Sequence, residues 1–83
     1  MFGRKKEVPQ EEFTGFNAVV NTRHTELYIR VGASRFNIHV TSLPKGSRVT
    51  VYGREGAWYK VKYKSTRGYA HVDYILPLDQ ALG

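Results

Sequence analysis

Residues 53–75 read GREGAWYKVKYKSTRGYAHVDYI, and the alternation inside this stretch decides the fold. In an extended strand successive side chains point to opposite faces. Trp58, Lys60, Lys62 and Lys64 therefore share one face, and Tyr59, Val61 and Tyr63 share the other. The β-branched Val61 marks its own face as the inner one. That sends Trp58, the only tryptophan of the chain, outward in the company of three lysines. A small protein depends on its aromatics for core area, so an outward indole needs a reason.

The strand pattern extends from here in both directions. FNAVVNT (16–22) and ELYIRV (26–31) are short runs rich in β-branched and aromatic residues, separated by polar Arg23 and His24. SRVTVYG (47–53) alternates, with Val49 and Val51 on one face and Arg48, Thr50 and Tyr52 on the other. AWYKVKYK (57–64) follows the turn GREG, and GYAHV (68–72) follows the turn STR. No segment keeps helical spacing over three turns, although VDY (72–74) has room for one tight turn. The fold class is all-β. Five short strands between residues 14 and 78 are too few for a two-sheet sandwich, so the expectation is a small, strongly bent five-stranded barrel, whose closure would remove exposed edges. Gly46, Gly53, Gly56 and Gly68 are expected at its corners. Residues 1–13, charged and aperiodic, read as a flexible, disordered N-terminal tail, and 79–83 as a short C-terminal tail.

With 83 residues and no cysteine, the chain is one domain that no disulfide or thiolate metal site can staple. Thirteen Lys and Arg against seven Asp and Glu give a net charge of +6, which favours anionic partners or serves solubility alone. No apolar run approaches the roughly 18 residues of a membrane span. The basic N-terminal cluster lacks the apolar stretch of a secretory signal. The expected location is the cytoplasm, with release by lysis as the alternative if the protein is phage-encoded.

LYIRVGAS (27–34), LPKGSRVTV (43–51) and GAWYKVKYKSTRGYAHVDYI (56–75) together resemble the bacterial SH3 domain. That family reads Leu-Asn-Val-Arg-Ser-Gly-Pro-Ser, then a Lys-Gly-x-x-Val strand, then Gly-Trp-x-Lys-Val, and closes on Gly-Trp-Val-x-x-x-Tyr-Leu. The resemblance runs from about residue 16 to 76. Tyr28 stands where the family has Asn, Val31 where it has Ser and Ala33 where it has Pro; Tyr69 replaces the second Trp, and Ala57 intervenes before Trp58. The first three departures fall in a long loop that helps define the ligand. The ending is also similar to that of eukaryotic SH3 domains. There Trp58 takes the place of the ligand-facing Trp, His71 that of the groove Pro and Tyr74 that of the groove Tyr. The resemblance implies a peptide-gripping trough and a module that targets cell wall.

The ligand-binding candidates are Trp58, His71 and Tyr74, with Tyr28, Arg35 and Phe36 from the long loop and Asp73 beside His71. Each has a structural alternative: Trp58 could fold over the barrel edge, Tyr74 could seal the barrel, and Phe36 could anchor the loop. Arg30 matches the family's Arg, which orders the long loop by donating to backbone carbonyls. A second constellation, Arg48, Lys60, Lys62, Lys64 and Arg67 interleaved with Trp58 and Tyr52, has the ingredients for single-stranded nucleic acid. Its alternative is a solvated strand face.

Catalysis has no constellation to rest on: there is no cysteine, and Ser65 has no oxyanion partner. The three histidines lack metal-ligand spacing, and no cofactor motif is present. The expected protein is a non-enzymatic module holding an extended peptide, from cell wall or a partner protein. The alternatives are a nucleic-acid-binding small barrel and a phage-type assembly or accessory protein. The oligomeric state stays open.

Overall fold

The computed structural model describes residues 13–82. Seven strands form one antiparallel sheet: β1 (Phe16–Val20), β2 (Leu27–Arg30), β3 (His39–Leu43), β4 (Arg48–Glu55), β5 (Trp58–Tyr63), β6 (Thr66–His71) and β7 (Ile75–Pro77). A 3₁₀ turn, Val72–Tyr74, joins β6 to β7, in the place where the sequence leaves room for one tight turn. A short helix, α1 (Leu78–Leu82), follows. The strand order is β3-β2-β6-β5-β4-β1-β7.

The inner face follows from alternation. On β4, Val49, Val51 and Gly53 are buried while Arg48, Thr50, Tyr52 and Arg54 are exposed. Val61 of β5 is fully buried, and Tyr59 and Tyr63 pack against the core on its side of the strand. Ala18, Val20, Leu27, Ile29, Leu43, Val49, Val51, Val61, Ala70 and Ile75 make the core. Burying each larger aliphatic side chain stabilises by about 1.5–3 kcal/mol, which gives a small chain without disulfides its main favourable term. Phe13 and Phe16 lie against this cluster, and the edge of Phe16 meets Tyr59 at a centroid distance of 5.7 Å. Residues 1–12 lie outside the described residues, so the reading of 1–13 as a tail meets the structure only at Phe13.

Two features depart from the expected five-stranded barrel. First, there are seven strands. β3 takes in the last two residues of RFNIHV (35–40) and runs on to Leu43; its His39 and Val40 are exposed and only Leu43 is buried, so no alternation marks it. Pairing with β2 alone, Leu27 opposite Leu43 and Tyr28 opposite Ser42, makes it a strand. β7 is three residues long and ends in Pro77, which suits an edge. Second, the sheet is not closed: no ladder joins β3 to β7 among the described residues. Register shifts between Ile29 and Arg30 and between Val51 and Gly53 interrupt the ladders, and such bulges bend a sheet strongly without sealing it.

The turns are tighter than the sequence suggests. β4 runs to Glu55, which pairs with Trp58, so the connection is Gly56-Ala57 alone. Gly56 has φ +58°, the left-handed conformation that glycine adopts at no steric cost. The next connection is Lys64-Ser65, between paired Tyr63 and Thr66, and Lys64 takes φ +54° there. Gly68 marks no corner. It lies buried within β6, where an added Cβ would stand 2.6 Å from Ile29 Cγ2 and 2.7 Å from the Arg30 carbonyl oxygen. Only glycine lets β6 approach β2 that closely.

Candidate functional site

The β5–β6 register builds the site. Trp58 lies directly opposite His71, so both side chains leave the same face of adjacent strands. The ring centroids are 5.2 Å apart at 79°, an edge-to-face contact. His71 also caps the 3₁₀ turn: its Nδ1 accepts the Asp73 backbone N–H at 3.1 Å. A neutral ring that accepts at Nδ1 carries its proton on Nε2, which leaves an N–H donor. The Asp73 carboxylate stands 3.7 Å from the same Nδ1.

The turn brings Tyr74 back beside the pair, with its ring centroid 5.8 Å from that of His71. Two backbone bonds hold the turn in place: Asn21 N–H donates to the Tyr74 carbonyl at 2.8 Å and Val72 N–H to the Ala57 carbonyl at 3.0 Å. Trp58 is half-buried and stands outside the core cluster. Tyr28, on β2, lies flat on His39 of β3, with centroids 4.1 Å apart and planes 9° from parallel. The Arg30 guanidinium covers Tyr28 at 5.3 Å from the ring centroid. Arg30 Nη1 also donates to the Asn37 carbonyl at 2.7 Å, closing the long loop as its place in the motif implies.

Trp58, His71, Asp73, Tyr74, Tyr28 and Arg35 line one groove of about 1390 Å³. Phe36 does not line it: it is 85% exposed, with the Arg35 guanidinium 5.2 Å from its ring centroid, and anchors nothing in the core. The groove has a further wall that the sequence did not single out, the connection Asn21–Glu26 between β1 and β2, together with Lys45 after β3. RH in that connection reads as a mere polar separator, and no local pattern marks it as facing Trp58. Thr22 is buried in this wall, and its hydroxyl has no partner among the described residues.

The basic constellation is looser. Lys60 lies 3.6 Å from the Glu55 carboxylate, whose Oε2 also accepts the Tyr69 hydroxyl at 3.0 Å. That hydrogen bond, helped by partial desolvation and the negative charge of Glu55, raises the Tyr69 phenol above its ordinary 10.0. Lys62 pairs with Arg67 across the β5–β6 ladder, and the Arg67 guanidinium sits 5.5 Å from the Tyr52 ring centroid. Arg48, Lys62 and Lys64 border a shallow recess of about 270 Å³. Among the described residues no three His, Cys, Asp or Glu side chains cluster to hold a metal, and no helix is long and apolar enough to cross a membrane.

A strongly bent antiparallel sheet, with an aromatic groove between a long loop and a 3₁₀ turn, defines an SH3-like module. The model of the bacterial SH3 domain matches residues 25–75, more than half of the chain. The chain belongs to that family, whose members are generally non-catalytic modules of protein or peptide interaction. A segment of Bacteriocin BCN5 from Clostridium perfringens is 36% identical over 52 residues; the match covers 63% of this chain and 6% of that protein. No solved structure matches the chain.

Proposed function

We propose that the chain is a non-catalytic binding module that holds an extended peptide in the groove, either the peptide of cell wall or a segment of a partner protein. One observation carries this reading: Trp58, His71 and Tyr74 form a continuous run of rings, with centroid steps of 5.2 and 5.8 Å, along a groove of about 1390 Å³. Flat rings suit a ligand that is already extended, because little chain entropy is lost on docking. Nε2–H of His71 supplies a donor for a peptide carbonyl. The bacterial family and the likeness to part of a bacteriocin support cell wall as the first ligand to test.

The test is co-sedimentation with purified wall for three proteins: wild type, Trp58→Ala, and Lys62→Glu with Lys64→Glu. Loss of the indole is expected to weaken retention by about 2 kcal/mol, roughly thirtyfold. The charge-reversed protein should bind as wild type does. Equal retention of Trp58→Ala would end the reading.

A second reading has its own observation. Arg48, Lys62 and Lys64 share a recess, and Arg67 covers Tyr52 beside it, which offers charge for phosphates and a ring for bases. Binding of labelled single-stranded oligonucleotide that falls steeply with salt, is lost in the lysine double variant and ignores Trp58→Ala would favour it.

A further inference from the structure

We propose that the groove selects extended peptides that carry carboxylates. This rests on the peptide reading of the groove and adds the chemical class of the ligand. The groove's charged side chains fall into two groups. Of its two acids, the Glu26 carboxylate accepts the Ser42 hydroxyl at 2.6 Å, and the exposed Asp73 carboxylate stands 3.7 Å from His71 Nδ1. Of its cations only Arg30 is tied down by hydrogen bonding, through the Asn37 carbonyl. Arg23, Arg35 and Lys45 are exposed and form no ion pair among the described residues.

These three cations come from three different segments: the connection after β1, the long loop, and the turn after β3. All three border the same groove as the aromatic run of Trp58, His71 and Tyr74. Cations beside rings that grip an extended peptide suit carboxylates carried by that peptide, and a guanidinium meets a carboxylate through two parallel N–H donors. Positive charge along the walls also speeds the encounter with acidic ligands and disfavours basic ones, because like charges across an interface are repelled. The aromatic run then holds the chain, and the cations choose among chains.

The test pans a pool of randomised nonapeptides on immobilised wild-type protein, with immobilised Trp58→Ala as background. Peptides retained above background are expected to be enriched severalfold in Asp and Glu. A variant carrying Arg23→Glu, Arg35→Glu and Lys45→Glu should retain peptides enriched in Lys and Arg; all three side chains are exposed, so its melting temperature should match wild type. Reversing a single cation should weaken the selected acidic peptides about fivefold. Retention through Trp58 of neutral or basic peptides, without acid enrichment, would overturn the selectivity and leave the groove reading standing. No retention above the Trp58→Ala background would overturn both.

Discussion

The two ends of the β5–β6 hairpin carry the same strand alternation and make different surfaces. At one end Trp58 faces His71; at the other Lys62 faces Arg67. Between them Lys60 and Tyr69 converge on Glu55. The Trp58 end borders the larger groove because other segments reach it: the 3₁₀ turn returns Tyr74, and the β1–β2 connection supplies a wall. At the Lys62 end, Asn17 of β1 and Leu78 of α1 help border a recess only about one fifth as large. Facing outward makes a side chain available, but a concave site also needs chain segments arriving from elsewhere.

The largest effect should come from the glycine between the two ends. Gly68→Ala forces a methyl against Ile29 and the Arg30 carbonyl, and overpacking of this kind costs about 3 kcal/mol. That should lower the melting temperature by more than about 10 °C in a domain of this size and disturb β2 along with the groove. A melting temperature near wild type would mean that β6 and β2 are less closely packed than their geometry indicates.

Trp58→Ala should come next, with its cost of about 2 kcal/mol appearing in ligand retention more than in stability, since the indole lies outside the core. If thermal stability fell by a comparable amount with retention unchanged, the two ends of the hairpin would differ in packing alone.

Arg30→Leu should cost about 1.5 kcal/mol through the lost hydrogen bond to Asn37 and free the long loop, seen as faster amide exchange at residues 31–38. At the open end, Lys62→Glu with Lys64→Glu should change stability by no more than about 0.5 kcal/mol.

The smallest effect lies in the middle of the hairpin. Tyr69 should ionise at higher pH than an ordinary tyrosine, and Glu55→Gln should bring it back toward 10.0, followed by the absorbance of ionised tyrosine. Because the folded value is raised, the stability that this hydrogen bond contributes is complete below 10.0 and is lost as pH rises through the raised value. Titration of Tyr69 with the other tyrosines would show that its bond to Glu55 does not persist in solution.

Much of the fold was legible in the residues. Val49, Val51 and Val61 declared the inner face because two-residue alternation is a local property that needs no partner. The motif from Leu27 to Ile75 pointed to the family, and Arg30 to its loop. β3 was not legible, since an edge strand with exposed His39 and Val40 shows no alternation. Trp58, His71 and Tyr74 were grouped by resemblance, whereas their ring contacts depend on one register and one turn. Arg23 and Lys45 carry no local mark of the groove they border.

Alternation and motif order were enough to establish an all-β chain of the SH3 kind with an outward indole, because strand facing repeats every two residues wherever the strand lies. Folding in three dimensions decided the rest: seven strands instead of five, a sheet left open between β3 and β7, and Lys60 held by Glu55. It also decided that Phe36 stands clear of the groove that Arg35 lines. These outcomes depend on strand register and loop path between residues far apart in the chain, and no periodicity within a single segment encodes such distances.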